Sequence, residues 1–194
     1  MIRKLTIFTL TLMSFSCFCF AQDSTFNGDI SDIQGSVYIC LKVEGIDGES
    51  LVDKHNHEID LLTWNWGMTQ AGFMSVGRGG AAAKTQVQDL VVTKYVDKAS
   101  PKLMLACLRG NPIRKATIFV TKVGEIPLDY IVITMSDVMV TSVTPGGNQD
   151  IGLTTENVAL NFAKVTFSYT PQKPDGTADD SVEFTWNIEK NQQE

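Results

Sequence analysis

Residue types that usually build an active site are scarce in this sequence of 194 residues. There are only two histidines, His55 and His57, and both lie in one polar stretch, so no other part of the chain can supply the histidine of a nucleophile–base pair. No glycine-x-serine-x-glycine motif is present, which removes the turn that exposes a nucleophilic serine in many hydrolases. The sequence therefore predicts a protein that is not an enzyme and that needs no cofactor.

Four residues around these histidines have the right chemistry for a metal but not the right arrangement. They are Asp53, His55, His57 and Asp60. His55 and His57 would share one strand face, but the spacing implies no third ligand, and closed metal sites have three or four. We therefore interpret the stretch as a solvated loop and predict no metal site. A hydrolase that uses the two histidines is the least favoured alternative.

The glycine-rich stretch of residues 77–85 does not match a phosphate-binding loop. Its sequence is GRGGAAAKT, in which Ala83 stands before Lys84 where the motif has glycine, and Arg78 stands at the first glycine position. No predicted strand leads into it and no predicted helix follows it. We therefore assign no phosphate site to it.

Cysteine is scarce beyond residue 21, and acidic residues outnumber basic ones. Only Cys40 and Cys107 remain of the four cysteines, and we interpret both as small buried hydrophobic residues. Whether they pair stays open, because the sequence gives no distance between them. With 16 Lys and Arg against 22 Asp and Glu, the net charge is −6, which argues against nucleic acid or anionic lipid as a partner.

The one long apolar run of the chain is at its N-terminus. Arg3 and Lys4 precede the apolar residues 5–20, and Ala21 follows, which is the pattern of a cleaved secretory signal peptide over residues 1–21 and not of a membrane-spanning helix. Their removal would change the net charge from −6 to −8, because they contain two basic and no acidic residues. Residues 22–34 are polar, carry three aspartates and are predicted to be a flexible leader.

Alternating apolar residues predict strands over most of residues 35–190, which we expect to form one domain. Residues 129–143 and 158–169 are about twice as long as a usual strand, and the apolar phase slips once in each, which predicts a bulge or a sharp bend. Trp64 and Trp66 could form a ligand platform, but aromatic residues on one strand face more often belong to the core or an interface.

A single helix interrupts these strands. It is predicted from about Ser100, whose oxygen can accept from unpaired N–H groups, to Leu108, with Pro101 in its first turn and Gly110 just after its end. One face of this helix is apolar, because four residues recur at spacings of one, three and four: Leu103, Met104, Cys107 and Leu108.

The predicted fold is therefore mainly β. We expect a compact β-barrel of two curved antiparallel sheets, with this one helix and a long extended loop from Gly67 to Gln86. A connection of that length is uncommon within a compact domain and is usually functional or disordered.

Five blocks of sequence resemble, in the same order, the Hcp family, the haemolysin-coregulated proteins that build the inner tube of type VI secretion systems in Gram-negative bacteria. The blocks are YICLKVEGIDGES (residues 38–50), HEIDLLTWNWG (57–67), VQDLVVTKYVDKASPKLMLACLRG (87–110), ITMSDVMVTSV (133–143) and TENVALNFAKVTFSY (155–169). They cover most of residues 35–190, which the resemblance makes an Hcp-like β-barrel domain.

The resemblance implies a subunit that forms hexameric rings, which stack into a hollow tube fired by a contractile sheath. It implies secretion through the type VI apparatus, with small effector proteins inside the ring and with the spike and sheath proteins as further partners. It also implies that no residue is catalytic and that the long loop reaches a neighbouring subunit. The candidate interface residues in this loop are Met68, Phe73, Met74, Val76, Arg78 and Lys84.

The N-terminal segment departs from the pattern of this family. Tube-forming members are assembled in the cytoplasm and usually lack a signal peptide. If residues 1–21 are cleaved, the chain would reach the periplasm or the extracellular space. The alternative function is therefore an exported Hcp-like binding module that works outside the secretion tube.

Overall fold

The computed structural model describes residues 37–70, 85–147 and 152–194. The predicted signal peptide (1–21) and leader (22–34) lie outside these residues and stay predictions. Eleven strands and one α-helix follow one another in the described chain: β1 (Val37–Val43), β2 (Ile59–Leu61), β3 (Thr63–Asn65), β4 (Met68–Thr69), β5 (Gln86–Val87), β6 (Leu90–Tyr95), α1 (Ser100–Arg109), β7 (Ile113–Lys122), β8 (Leu128–Gly146), β9 (Thr155–Tyr169), β10 (Val182–Asn187) and β11 (Gln192–Gln193).

Nine of the strands form one antiparallel sheet. Its order is β11-β10-β9-β8-β7-β1-β2, and β6 adds to β9 while β3 pairs with β6. The long strand β9 serves two partners on one side, because its first half pairs with β6 and its second half with β10. The remaining two strands, β4 and β5, form a separate two-stranded sheet.

The predicted bends in the two long strands are present and lie opposite each other. In β8 the buried positions pass from Ile133 and Met135 to Val138 and Val140, with Asp137 at a φ of 52° between them. In β9 the buried positions shift by one residue in the same way, between Phe162 and Val165. This shift lies beside the bend in β8, because Phe162 pairs with Val138 and Lys164 with Ser136. The positive φ of Asp137 turns β8 at this level, and β9 changes phase beside it without a residue of positive φ.

The prediction of a mainly β fold with antiparallel sheets and one helix is confirmed, but the large sheet is not closed as a barrel. Apolar residues at positions 59, 61, 62, 64 and 66 favour a single strand in this stretch, but it is split at Leu62 into β2, which pairs with β1, and β3, which pairs with β6. The Leu62 N–H donates to the Thr93 carbonyl at 2.8 Å, at the point where the chain changes partner. The end strands β2 and β3 are therefore connected by the chain itself at Leu62 and not by a continuous series of hydrogen bonds between strands.

The core is apolar and lies on the inner face of the curved sheet. Alternation along each strand places its inward residues against those of the others, as a period of two requires. The fully buried side chains include one from each of six strands and one from the helix: Leu41, Ile59, Leu90, Ile118, Ile133, Leu160 and Leu103.

The helix was predicted within one residue of its observed ends, but two details of the prediction are wrong. Ser100 is helical and its side chain does not cap; the residue before the helix is Ala99, and the Ser100 Oγ accepts from the Asp97 N–H at 3.0 Å. Leu108 was placed on the packed face but is 85% exposed. Gly110 does end the helix, with a φ of 63°.

Candidate subunit interface and buried polar clusters

The long connection after β3 leaves and returns to the domain through a short hairpin base. Met68 pairs with Val87 and Thr69 with Gln86 across β4 and β5, so the predicted extended loop has a two-residue strand near each end, and its residues 71–84 lie outside the described residues. The apolar side chain of Met68 is 49% exposed on this hairpin base. The other predicted interface residues lie outside the described residues: Phe73, Met74, Val76, Arg78 and Lys84.

Beneath this hairpin base lies an apolar cavity of about 180 Å³. Trp66 lines it and donates its indole N–H to the Gln88 carbonyl at 3.1 Å, while its ring packs on Phe162 with centroids 5.8 Å apart. Trp64 also packs against the core, so both tryptophans take the core role that was preferred over a ligand platform. Across the cavity, Phe184 and Trp186 of β10 form the opposite wall.

A second exposed apolar surface lies on the helix. Leu105 is 44% exposed and Leu108 is 85% exposed. Residues three apart in a helix lie on one face, so the two side chains form one patch, which we call the helix patch. Single exposed apolar residues need no explanation, but neighbouring ones mark a surface that a partner can cover.

A buried ionic cluster, which sequence reasoning missed, fastens the helix to the sheet. The Lys94 Nζ is 2.8 Å from a Glu156 carboxylate oxygen and 2.7 Å from the Asp97 Oδ1, and it donates to the Tyr95 carbonyl. Ser100 at the helix start donates to Glu156 at 2.7 Å. Lys94 and Glu156 face each other in register on β6 and β9. Three elements therefore meet at one buried cation.

The sequence does contain a signal for this cluster. Along β6 the buried positions are Leu90, Val92 and Lys94, so the lysine has the phase of the apolar residues before it. A lysine at a core position is almost never fully buried unless it is paired. Its phase alone could have indicated a buried ion pair, but not the identity of the partner.

A second cluster surrounds His55, which the sequence analysis placed in a solvated loop. That interpretation is wrong for His55, which is only 3% exposed and lies in a 3-10 turn. Its Nδ1 is 2.8 Å from a Glu58 carboxylate oxygen and its Nε2 is 3.3 Å from the Asp129 Oδ1. Its ring also packs against Phe119, with centroids 4.6 Å apart. His57, in contrast, is exposed, with a φ of 64°.

The contacts of His55 connect parts of the chain that are far apart in sequence. Asp129 lies at the start of β8, and it also accepts from Lys54 and from Thr121 at the end of β7. Burial raises the pKa of Asp129, but the hydrogen bonds from Lys54, Thr121 and His55 outweigh burial and bring the pKa below its ordinary value. Both nitrogens of His55 are engaged with carboxylates. Within the described residues, no group of three or more His, Cys, Asp or Glu side chains has a metal-binding arrangement.

Both described cysteines are free. Cys40 is fully buried on β1, and burial raises the pKa of its thiol to about 12. Cys107 is half-buried on the helix and packs against the core. The prediction of buried residues is confirmed for Cys40, although its thiol donates to the Asp60 Oδ1 at 3.6 Å and does not pack within the apolar core, and it holds in part for Cys107.

The described chain is an antiparallel sheet with one docked helix, a long connection on a hairpin base and two polar clusters whose groups make structural contacts. A family model described as "Type VI secretion system effector, Hcp" matches residues 40–169. The chain belongs to this Hcp family, whose members are tube and effector proteins secreted by type VI secretion systems.

Individual relatives agree with this membership. The chain is 45% identical over 160 residues to the protein Hcp1 of Pseudomonas aeruginosa. The aligned residues make up 81% of this chain and 99% of that protein. Among solved structures it is similar to Hcp1 from Salmonella typhimurium, with 33% identity, a TM-score of 0.68, and coverage of 82% of this chain and 99% of that one.

A second solved structure, of a type six secretion system protein, has 25% identity and a TM-score of 0.74 and covers 82% of this chain and 100% of that one. In the part of the chain that the structure describes, no helix is both long and apolar enough to cross a membrane.

Proposed function

We propose that this chain forms hexameric rings that stack into the inner tube of a type VI secretion system, with spike and sheath proteins as partners and small effector proteins carried inside. The observation that carries the proposal is the match to the P. aeruginosa Hcp1 protein over 99% of its length. Because the match spans nearly the whole of that relative, it supports for this chain a role that members of the family have. The role is structural, and we assign no residue a part in catalysis.

Two exposed apolar surfaces support assembly. Met68 stands on the hairpin base from which the long connection extends, and Leu105 and Leu108 form the helix patch. Covering such side chains removes apolar area from water, at about 25 cal/mol per Å². In a closed ring each surface would meet a different surface of the next copy, because ring contacts join two unlike patches.

The test is the mass of the purified protein by size-exclusion chromatography with light scattering. We expect a species of about six times the mass of one subunit, which is 21.3 kDa when all 194 residues are present. Met68→Asp would place a charge in the contact and lower the mass. The control is Leu51→Asp, which adds the same charge at a side chain outside the hairpin base that is 89% exposed. A single-subunit mass at every concentration would contradict the proposal.

The compartment in which the chain works decides between the tube and the exported binding module. Residues 1–21 have the form of a signal peptide, with Arg3, Lys4 and the apolar run that follows, and whether the cell cleaves this segment separates the two functions. N-terminal sequencing of the protein from fractionated cells tests this. Cleavage after Ala21, with the mature chain in the periplasm of a strain without a working sheath, would favour the exported module. An intact N-terminus in the cytoplasmic fraction would favour the tube.

A further inference from the structure

A groove of about 600 Å³ lies on the outer face of the sheet, across β1, β7 and β8. Its floor consists of two cross-strand pairs, in which Thr117 faces Thr134 and Phe119 faces Val132. Phe119 and Val132 are only half-buried. The floor therefore offers exposed apolar area beside the half-buried Thr134, whereas Thr117 is buried, and it lies on the side of the sheet opposite the core.

The rim of this groove is basic, although the chain as a whole has a net charge of −6. Lys42, Arg114 and Lys115 line it, with Glu44 as the one acidic residue among its lining side chains in the described chain. Arg114 binds Glu44 through its guanidinium, yet its side chain is 82% exposed, and Lys42 is 67% exposed. Lys115 has no ion-pair partner among the described residues. The groove thus has an excess of two positive charges.

These features determine what the groove fits. A carboxylate over the rim gains from the unpaired Lys115 and from Lys42, whose contact with Glu58 is long, at 3.7 Å. An apolar side chain beside that carboxylate gains from contact with Phe119 and Val132. We propose that this groove docks a segment of a partner protein in which acidic residues alternate with aromatic or aliphatic ones.

A protein segment fits better than a nucleic acid. Binding to nucleic acid depends on many cations that meet successive phosphates, and this rim has three cations on an acidic chain. An alternating peptide matches the groove, because neighbouring side chains of an extended segment point in opposite directions and can serve rim and floor separately. The proposal does not depend on ring assembly, because binding is measured on the purified chain in its own oligomeric state.

Three fluorescein-labelled hexapeptides test the proposal by fluorescence anisotropy with the purified full chain. One alternates glutamate and phenylalanine, the second glutamine and phenylalanine, and the third glutamate and serine. We expect the first to bind at least about tenfold more tightly than each of the others, because each control loses either the charge or the apolar contact. The difference in affinity between this peptide and the glutamine–phenylalanine peptide should decrease as the salt concentration rises from about 50 mM to about 500 mM, because exposed charges are screened.

Charge reversal at the rim locates the binding site. Lys115→Glu should lower the affinity for the glutamate–phenylalanine peptide by about tenfold or more. The affinity for the glutamine–phenylalanine peptide should be nearly unchanged. Lys173→Glu makes the same change in charge at an exposed lysine outside the groove, and it should have little effect on either peptide. If Lys115→Glu does not fold, as judged by circular dichroism, Lys115→Gln takes its place with a smaller expected loss.

Several outcomes would overturn the proposal. They are the absence of binding, equal binding of the three peptides, and equal effects of the changes at Lys115 and Lys173. Displacement of the peptide by a thymidine oligonucleotide at a lower concentration than by unlabelled peptide would also reject it, because the groove would then recognise phosphates.

Discussion

The Lys94 ammonium group lies 2.8 Å from the carboxylate of Glu156, and neither side chain is reached by solvent. The same ammonium contacts Asp97, so one cation balances two carboxylates at the junction of β6, β9 and the helix. Removing one partner of a buried pair leaves a charge without compensation, which costs more than the pair itself contributes. The cluster therefore makes the attachment of the helix sensitive to any change at Lys94.

Lys94→Met should lower the free energy of unfolding by about 3–5 kcal/mol, because it leaves two carboxylates unpaired in the interior. Urea denaturation measures the loss. Lys98→Met is the matched control, since Lys98 is exposed four residues later, and its effect should stay within about 0.5 kcal/mol. The double variant Lys94→Met with Glu156→Leu should recover part of the stability. Equal effects at Lys94 and Lys98 would show that the cluster is not a buried ion pair.

The acid stability of the protein should depend on Asp129. Its pKa is lowered in the folded chain, since hydrogen bonds from Lys54, Thr121 and His55 outweigh burial, whereas the unfolded chain has the ordinary value of 3.8. A carboxyl with a depressed folded-state pKa contributes stability above its unfolded pKa, and this is lost as the pH falls through its folded pKa.

Urea unfolding at pH values from about 5 to about 2 tests this dependence. The free energy of unfolding of the natural chain should fall more steeply over that range than that of Asp129→Asn, which has no carboxyl to protonate. Asp53→Asn alters an exposed aspartate of the 3-10 turn and should keep the slope of the natural chain. An unchanged slope in Asp129→Asn would rule out this role of Asp129.

Local features of the chain were more accessible from the sequence than its distant contacts. The helix ends followed from Pro101 and Gly110, which act within a single turn, and the bends in β8 and β9 followed from a slip in apolar phase. His55 was placed in solvent because two of its contacts, with Asp129 and Phe119, join it to distant parts of the chain, and no local pattern reports them. The break at Leu62 was missed for the same reason, since β2 and β3 differ only in the strand each one meets.

Cys40 should be unreactive in the folded protein. Only the thiolate is a nucleophile, and burial raises the pKa of this thiol to about 12. After treatment with iodoacetamide at about pH 8, peptide mass spectrometry should find Cys40 unmodified while the half-buried Cys107 is labelled. Both should react fully after denaturation in urea. Labelling of Cys40 at the rate of Cys107 in the native protein would contradict its buried position.

Substitutions at two leucines of the helix should distinguish the contribution of core packing from that of subunit assembly. Leu103 is fully buried and Leu108 is 85% exposed, although the sequence placed them on one face. Leu103→Ala should lower the free energy of unfolding by about 2–5 kcal/mol through the cavity it leaves, whereas Leu108→Ala should change it by less than about 0.5 kcal/mol.

The assembled mass should respond to charge in the helix patch, since Leu108→Asp would place a carboxylate in an apolar contact. Light scattering should then give a lower mass at unchanged subunit stability, while Leu51→Asp keeps the mass of the natural chain. A lower mass with both variants would indicate a general effect of charge, and an unchanged mass with Leu108→Asp would exclude the helix patch from the subunit contact. The two leucines differ in exposure because only the side chain of Leu103 reaches the core between the helix and the sheet, so stability and assembly can be altered independently on one helix.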